Sequence, residues 1–123
     1  MRLLVRPGTP SAPSAAYAGV WLNGTEYVLQ PSSPASNVNT WVHWVLTRQG
    51  STLTLYRNGA QIGQRTDLPA SATANISGYI GAQGGSAYFL AGGIDDVAVY
   101  SSALSAVSVT NHYKAALYGP PPQ

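Results

Sequence analysis

The sequence predicts an all-β protein, an antiparallel β-sandwich with one short C-terminal helix. Three observations lead there. Short runs such as Thr52–Arg57 alternate apolar and polar side chains, the period of a half-buried strand. Turn signals separate these runs at close intervals. Asn23-Gly24 and Asn58-Gly59 are the strongest of them, because Asn-Gly suits the positive φ of a two-residue hairpin turn. Thirteen Gly and nine Pro among 123 residues, with many Thr, Val and Tyr, favour turns and strands over helices.

In chain order, Arg2 to Arg6 reads as a strand ending at Pro7, and Pro7 to Ser14 as a Pro/Ser/Gly loop. Tyr17 to Leu22 and Thr25 to Gln30 form a hairpin about Asn23-Gly24, with Leu22 facing Thr25 and Val20 facing Tyr27. Trp21 and Tyr27 then lie on different faces, one of them outside. A polar loop leads to a three-stranded meander from Trp41 to Ile62. Turns expected at Gln49-Gly50 and Asn58-Gly59 pair Arg48 with Ser51, Leu46 with Leu53, Trp44 with Leu55, Arg57 with Ala60 and Leu55 with Ile62. One face of the meander carries Val42, Trp44, Leu46, Leu53, Leu55 and Ile62 and belongs to the core. The other carries Trp41, His43, Val45, Thr47, Thr52, Thr54, Tyr56 and Gln61. It is half polar and is the natural place for a binding surface.

Further strands are expected at Ile76 to Ala82, Ala87 to Ala91 and Gly93 to Tyr100, with a turn at residues 83–86. Ser105 is a good N-cap for a helix over about Ala106 to Tyr113, with Leu104 and Val109 placed as a hydrophobic staple. Residues 1–118 form one domain. Residues 119–123, Gly-Pro-Pro-Pro-Gln, form a tail that can neither continue a helix nor join a sheet centre.

Composition excludes several functions. Six basic and four acidic side chains give a net charge of +2 with no basic run, so no nucleic-acid stripe is present. The absence of cysteine removes disulfides and thiolate metal sites. No span reaches the ~20 apolar residues of a membrane helix, so no membrane insertion is expected. The apolar run at the start is broken by Arg6 and Pro7 and is too short for a signal-peptide core.

Catalysis is not expected. A glycosidase needs two carboxylates facing one another across the substrate. Glu26 is the sole Glu, and Asp95 and Asp96 are neighbours on an expected strand, so their side chains point to opposite faces. No nucleophile-elbow pattern occurs. His43 reads as a cross-strand partner of Tyr56. Trp41, His43, Tyr56 and Trp21 are the candidate binding residues, because aromatic rings stack equally well on a sugar or on a partner side chain. Trp44, Leu46, Leu53, Leu55, Asn58 and Gly59 are expected to be structural. Asp95 is expected to accept backbone hydrogen bonds where strand meets turn. Asp95 and Asp96, with Asp67, are the weak candidates for a Ca²⁺ site, which would draw most of its ligands from carbonyls. No metal or other cofactor is expected.

Three segments resemble the laminin-G-like, concanavalin-A-like jelly-roll family. Trp41-Val42-His43-Trp44-Val45-Leu46 is similar to its W-x-H-V-A-L strand, and Leu53-Thr54-Leu55-Tyr56-Arg57-Asn58-Gly59 to L-x-L-Y-V-D-G. The run from Gly93 to Ser105, with Ile94-Asp95-Asp96-Val97 and Ala103-Leu104-Ser105, resembles G-x-I-D-E-V-R-I-Y-x-x-A-L-S, and Ile80-Gly81 fits the I-G before the last hairpin. The resemblance implies a jelly roll in which Asp95 is a regular feature of its strand and a rim Ca²⁺ site occurs in some members. It also implies strands ahead of the one at Arg2 to Arg6. Without them the sandwich has an open edge and exposed core. A protein partner, another copy or an N-terminal segment is then expected to complete the sheet.

Two classes of function follow. One is a structural or decoration component of a larger assembly, such as a phage capsid or tail. The other is a glycan-binding or adhesion module of a secreted or cell-surface protein. The incomplete sandwich favours assembly, and the location expected is a virion or an extracellular surface.

Overall fold

The computed structural model describes residues 2–6, 15–31, 39–70, 79–82, 86 and 89–119. Among them, β1 (Arg2–Arg6), β2 (Ala15–Leu22) and β3 (Thr25–Leu29) form one antiparallel sheet in chain order. β4 (Trp44–Gln49), β5 (Thr52–Arg57) and β6 (Ala60–Arg65) form a second. A helix, α1 (Ala106–Tyr118), follows. The sequence-predicted class, two antiparallel sheets and a C-terminal helix, is the one observed.

The two sheets share one core. Ala18, Val20, Leu22 and Leu29 from the first sheet meet Leu53, Leu55 and Leu68 from the second and its trailing loop. Period-two alternation puts Ala18, Val20 and Leu22 inside and leaves Trp21 outside. Val20 pairs with Tyr27, which therefore packs against the core, while Trp21 pairs with Glu26 on the solvent face. The contact between sheets is close at Gly63, where an added Cβ would stand 3.2 Å from Leu29 Cδ1. Arg65 joins the same two strands by polar means. Its Nη1 donates to the Val28 carbonyl at 2.7 Å and its guanidinium lies over the Tyr27 ring at 5.2 Å. Asp67 receives the other guanidinium edge, Nη2 to Oδ2 at 2.8 Å, and this bond holds its carboxyl below the usual range.

The meander differs in register from the expectation. The β4–β5 turn is Gly50-Ser51, so Leu46 faces Leu55, Arg48 faces Leu53 and Trp44 faces Arg57. Gly50 takes φ +56 at the first central position, which is the type II′ requirement; a turn at Gln49-Gly50 would put that position on Gln49. The slip moves each partner by two residues, so every side chain keeps its face. At the other hairpin Arg57 faces Ala60 as expected, but an irregularity between Leu55 and Tyr56 gives Leu55 to Gly63 in place of Ile62. His43 does not face Tyr56. Val45 does, and His43 lies beside Asn58.

The C-terminal half departs further. Gly93 to Tyr100 forms no strand. Asp96 takes φ +52 and its amide donates to Asp95 Oδ1 at 2.9 Å, a local bond that interrupts the extended course. Residues 79–82 and 89–91 are likewise unpaired as strands, and 76–78 and 87–88 lie outside the described residues. α1 runs five residues past the expected end at Tyr113, to a Gly119 cap whose N–H donates to Ala115 O at 2.8 Å.

Leu55 is fully buried between the sheets and Trp21 is 57% exposed. Leu55→Ala is expected to destabilise by about 2–5 kcal/mol in urea unfolding, whereas Trp21→Ala is expected to stay within about 0.5 kcal/mol. Equal effects would contradict the observed facing of the strands.

Candidate functional site

The outer face of the β4–β6 sheet is built from the alternate residues that the core does not use. Cross-strand pairing sets Val45 against Tyr56, Thr47 against Thr54 and Gln49 against Thr52 on that face. Gln64, opposite Thr54 on β6, donates from Nε2 to Thr54 Oγ1 at 3.3 Å. This face is not open along its length, because α1 lies over part of it.

Local sequence explains how the helix starts and docks. Ser105 Oγ accepts from Ser108 N at 3.1 Å, capping the first turn. Val109, Thr110 and Tyr113 fall on one side of the helix by their i, i+1, i+4 spacing. Val109 is fully buried, and Thr110 Oγ1 donates to Gly59 O at 3.0 Å. Tyr113 packs over Gly59, where an added Cβ would stand 3.1 Å from Tyr113 Cδ1, and its ring stacks on His43 at 6.1 Å. His43 is fixed from below as well. Its N–H donates to Asn58 Oδ1 at 3.0 Å and its carbonyl accepts from Asn58 N at 2.9 Å.

Between the sheet face and the entry to α1 lies a groove of about 310 Å³. Thr47, Gln49, Thr52, Thr54, Tyr56 and Gln64 line one side and residues 103–106 the other. Among the described residues no charged side chain lines it, so the groove offers neutral hydroxyl and amide hydrogen bonds. None of Glu26, Asp67, Asp95 and Asp96 reaches it.

A second feature is the run from Phe89 to Tyr100. Phe89, Leu90, Ile94, Val97, Val99 and Tyr100 are all exposed, Val99 to 95%. Leu90 N donates to Gly81 O at 2.7 Å, and the Trp41 indole rests on Gly93, with Cη2 3.1 Å from where a Cβ would be. These contacts hold the start of the run, and among the described residues Val97–Tyr100 has no strand partner.

The four candidate binding residues are therefore dispersed. Tyr56 is only 7% exposed and lines the floor of the groove. His43 is half-buried against Tyr113. Trp41 is 73% exposed beside Gly93, and Trp21 is exposed on the other sheet. Asp95 accepts from the next residue's amide. Among the described residues no three His, Asp or Glu side chains gather as a metal cluster. Sequence reading identified the half-polar face but not its cover. The signal was present in the Val109, Thr110, Tyr113 spacing, which gives α1 a side to bury.

Two antiparallel sheets sharing one core, followed by a capped C-terminal helix, define a β-sandwich class of domain. The family model Laminin_G_3, described as the concanavalin A-like lectin/glucanases superfamily, matches residues 8–110. The chain belongs to that superfamily. It is also similar to a crystal structure, determined at 2.1 Å, of an S-layer domain-containing protein (residues 221–444) from Clostridium thermocellum ATCC 27405. The two are 26% identical, with a TM-score of 0.56 over 83% of this chain. The chain spans 52% of the length of that relative. No curated protein matches significantly. Among the described residues no helix is long and apolar enough to cross a membrane.

Gly59 combines φ +80 with the close approach of Tyr113. Gly59→Ala is expected to destabilise by about 1–3 kcal/mol, and Ser105→Ala by about 1 kcal/mol. Both are read by thermal unfolding, with the loss of helix signal preceding that of the sheets in Gly59→Ala.

Proposed function

We propose that the chain is a non-catalytic binding and assembly module of an extracellular surface, and that its partner is a protein supplying an extended, apolar strand. One observation carries this reading: the exposed run from Phe89 to Tyr100, whose Val97–Tyr100 end has strand-like sequence and, among the described residues, no strand beside it. Surfaces of this kind mark places where another polypeptide adds its main chain and side chains together. The Clostridium thermocellum relative, about half of which this chain matches, supports the idea that related sandwiches work with additional polypeptide around them. Its description as an S-layer domain-containing protein favours a cell-surface layer over a phage capsid or tail as the place of assembly. The dispersal of the four acids, none of them at the groove, supports a role without catalysis.

The groove favours a second reading. Its neutral hydroxyl and amide lining suits an uncharged sugar, so glycan adhesion is the alternative that a particular feature supports.

Light scattering coupled to size-exclusion chromatography separates the two. The chain is expected to associate or to bind an apolar dye, and Val97→Lys with Val99→Lys is expected to abolish both while leaving the melting temperature unchanged. A dilute monomer that binds no dye overturns assembly. Retention of neutral glycans by that monomer, lost in Thr54→Val, establishes the second reading.

A further inference from the structure

We propose that α1 is an acid-released latch, held over the outer face of the β4–β6 sheet by ring contacts of the chain's two histidines. His43, just ahead of β4, stacks on Tyr113 of α1 at 6.1 Å with the planes 29° apart. His112, the preceding residue of α1, meets Tyr100 at 5.9 Å in a tilted arrangement. Both histidines of the sequence thus sit where the helix docks.

The His43 ring is built into this junction in its neutral form. Its Nδ1 is buried and has no hydrogen-bond partner among the described residues, so the charged ring, which carries a proton on both nitrogens, finds no acceptor there. Protonation would place a charged N–H there with no acceptor, an arrangement that burial penalises. The groups around His43 are Asn58 from the β5–β6 turn and Tyr113 and His112 from α1, with Tyr100 on the far side of His112. The charge that acts on His43 is that of His112, which is of the same sign once both are protonated. Burial first and His112 second hold the His43 imidazole below its ordinary value. The sign follows directly. Docking favours neutral His43, so its contribution is complete above the unperturbed 6.5 and is lost as pH falls through and below that value.

Release would uncover Val109, fully buried where the helix docks, and would displace the Ser105–Ala106 edge of the groove that Tyr56 also lines. A pH step would therefore change which surface the domain presents, independently of whether a protein or a glycan is its partner.

Hydrogen exchange of the intact chain at pH 7.5 and 5.0, corrected for intrinsic rates, tests the latch. Amides of residues 106–118 are expected to lose protection at pH 5.0 while those of β4–β6 keep theirs. His43→Phe, which keeps a ring on Tyr113 and cannot protonate, is expected to retain helix protection at both values. His112→Gln, at an exposed position, is expected to reduce the loss. Helix protection unchanged in the wild type, or lost equally in His43→Phe, overturns the proposal. An NMR titration of the wild-type His43 imidazole reads the same point without a variant. A value at or above the ordinary one also overturns it.

Discussion

The Asn58-Gly59 turn is the constraint on which the rest of the second sheet and the helix depend. Its two residues take φ +50 and +80, the pattern of a type I′ turn that matches the twist of the strands it joins. Asn tolerates this conformation and Gly is free in it, so the pair costs little where other residues would be strained. The turn then does three further things. Asn58 brackets His43 through backbone and side chain, extending the ladder one step beyond β4. The Gly59 carbonyl receives the Thr110 hydroxyl. The missing Cβ of Gly59 leaves room for the Tyr113 ring. Sheet register, helix position and the environment of His43 are all fixed within a few ångströms of two residues.

That turn was legible in the sequence, and so was most of what lies near it. The dyad alternation of Leu53, Leu55, Thr54 and Tyr56 placed the core correctly, and it did so despite a register error of two residues. Period two explains the tolerance, since slips by an even number leave every side chain on its own face. Gln49-Gly50 and Gly50-Ser51 are equally plausible turns by sequence, because Gly can occupy either central position of a primed turn, and only the strand lengths on both sides decide. The bulge at Leu55/Tyr56 has no local signature at all.

The candidate site was less legible for a different reason. Whether a half-polar strand face meets solvent or a helix depends on an element that arrives some fifty residues later, as Thr110 to Gly59 does. Tyr56 was read as accessible because its strand neighbours Thr52 and Thr54 are polar, yet Thr54 is buried too. Hydroxyls can be covered when they find partners, as Thr54 does in Gln64. The strand expected at Gly93 to Tyr100 shows the opposite failure. Its sequence has the pattern, but a strand is a relation between two segments, and among the described residues no second segment pairs with it.

These two faces have opposite physical states, and the contrast organises the function. The outer face of β4–β6 is satisfied internally, by a helix of which Val109 is fully buried and Tyr113 is held against His43. The Phe89–Tyr100 run has no strand beside its Val97–Tyr100 end among the described residues, where Tyr100 meets only the His112 ring. An exposed apolar segment of this length lowers its free energy by association, since each large side chain removed from water contributes about 1.5–3 kcal/mol. The helix-covered face has no such drive and offers only neutral hydrogen bonds, which exchange water for ligand at nearly equal energy. On the proposed function, affinity for a polypeptide would lie at the run and selectivity for a small polar ligand at the groove. The two surfaces are structurally independent, because the shared sandwich core between Leu22 and Leu55 is used by neither.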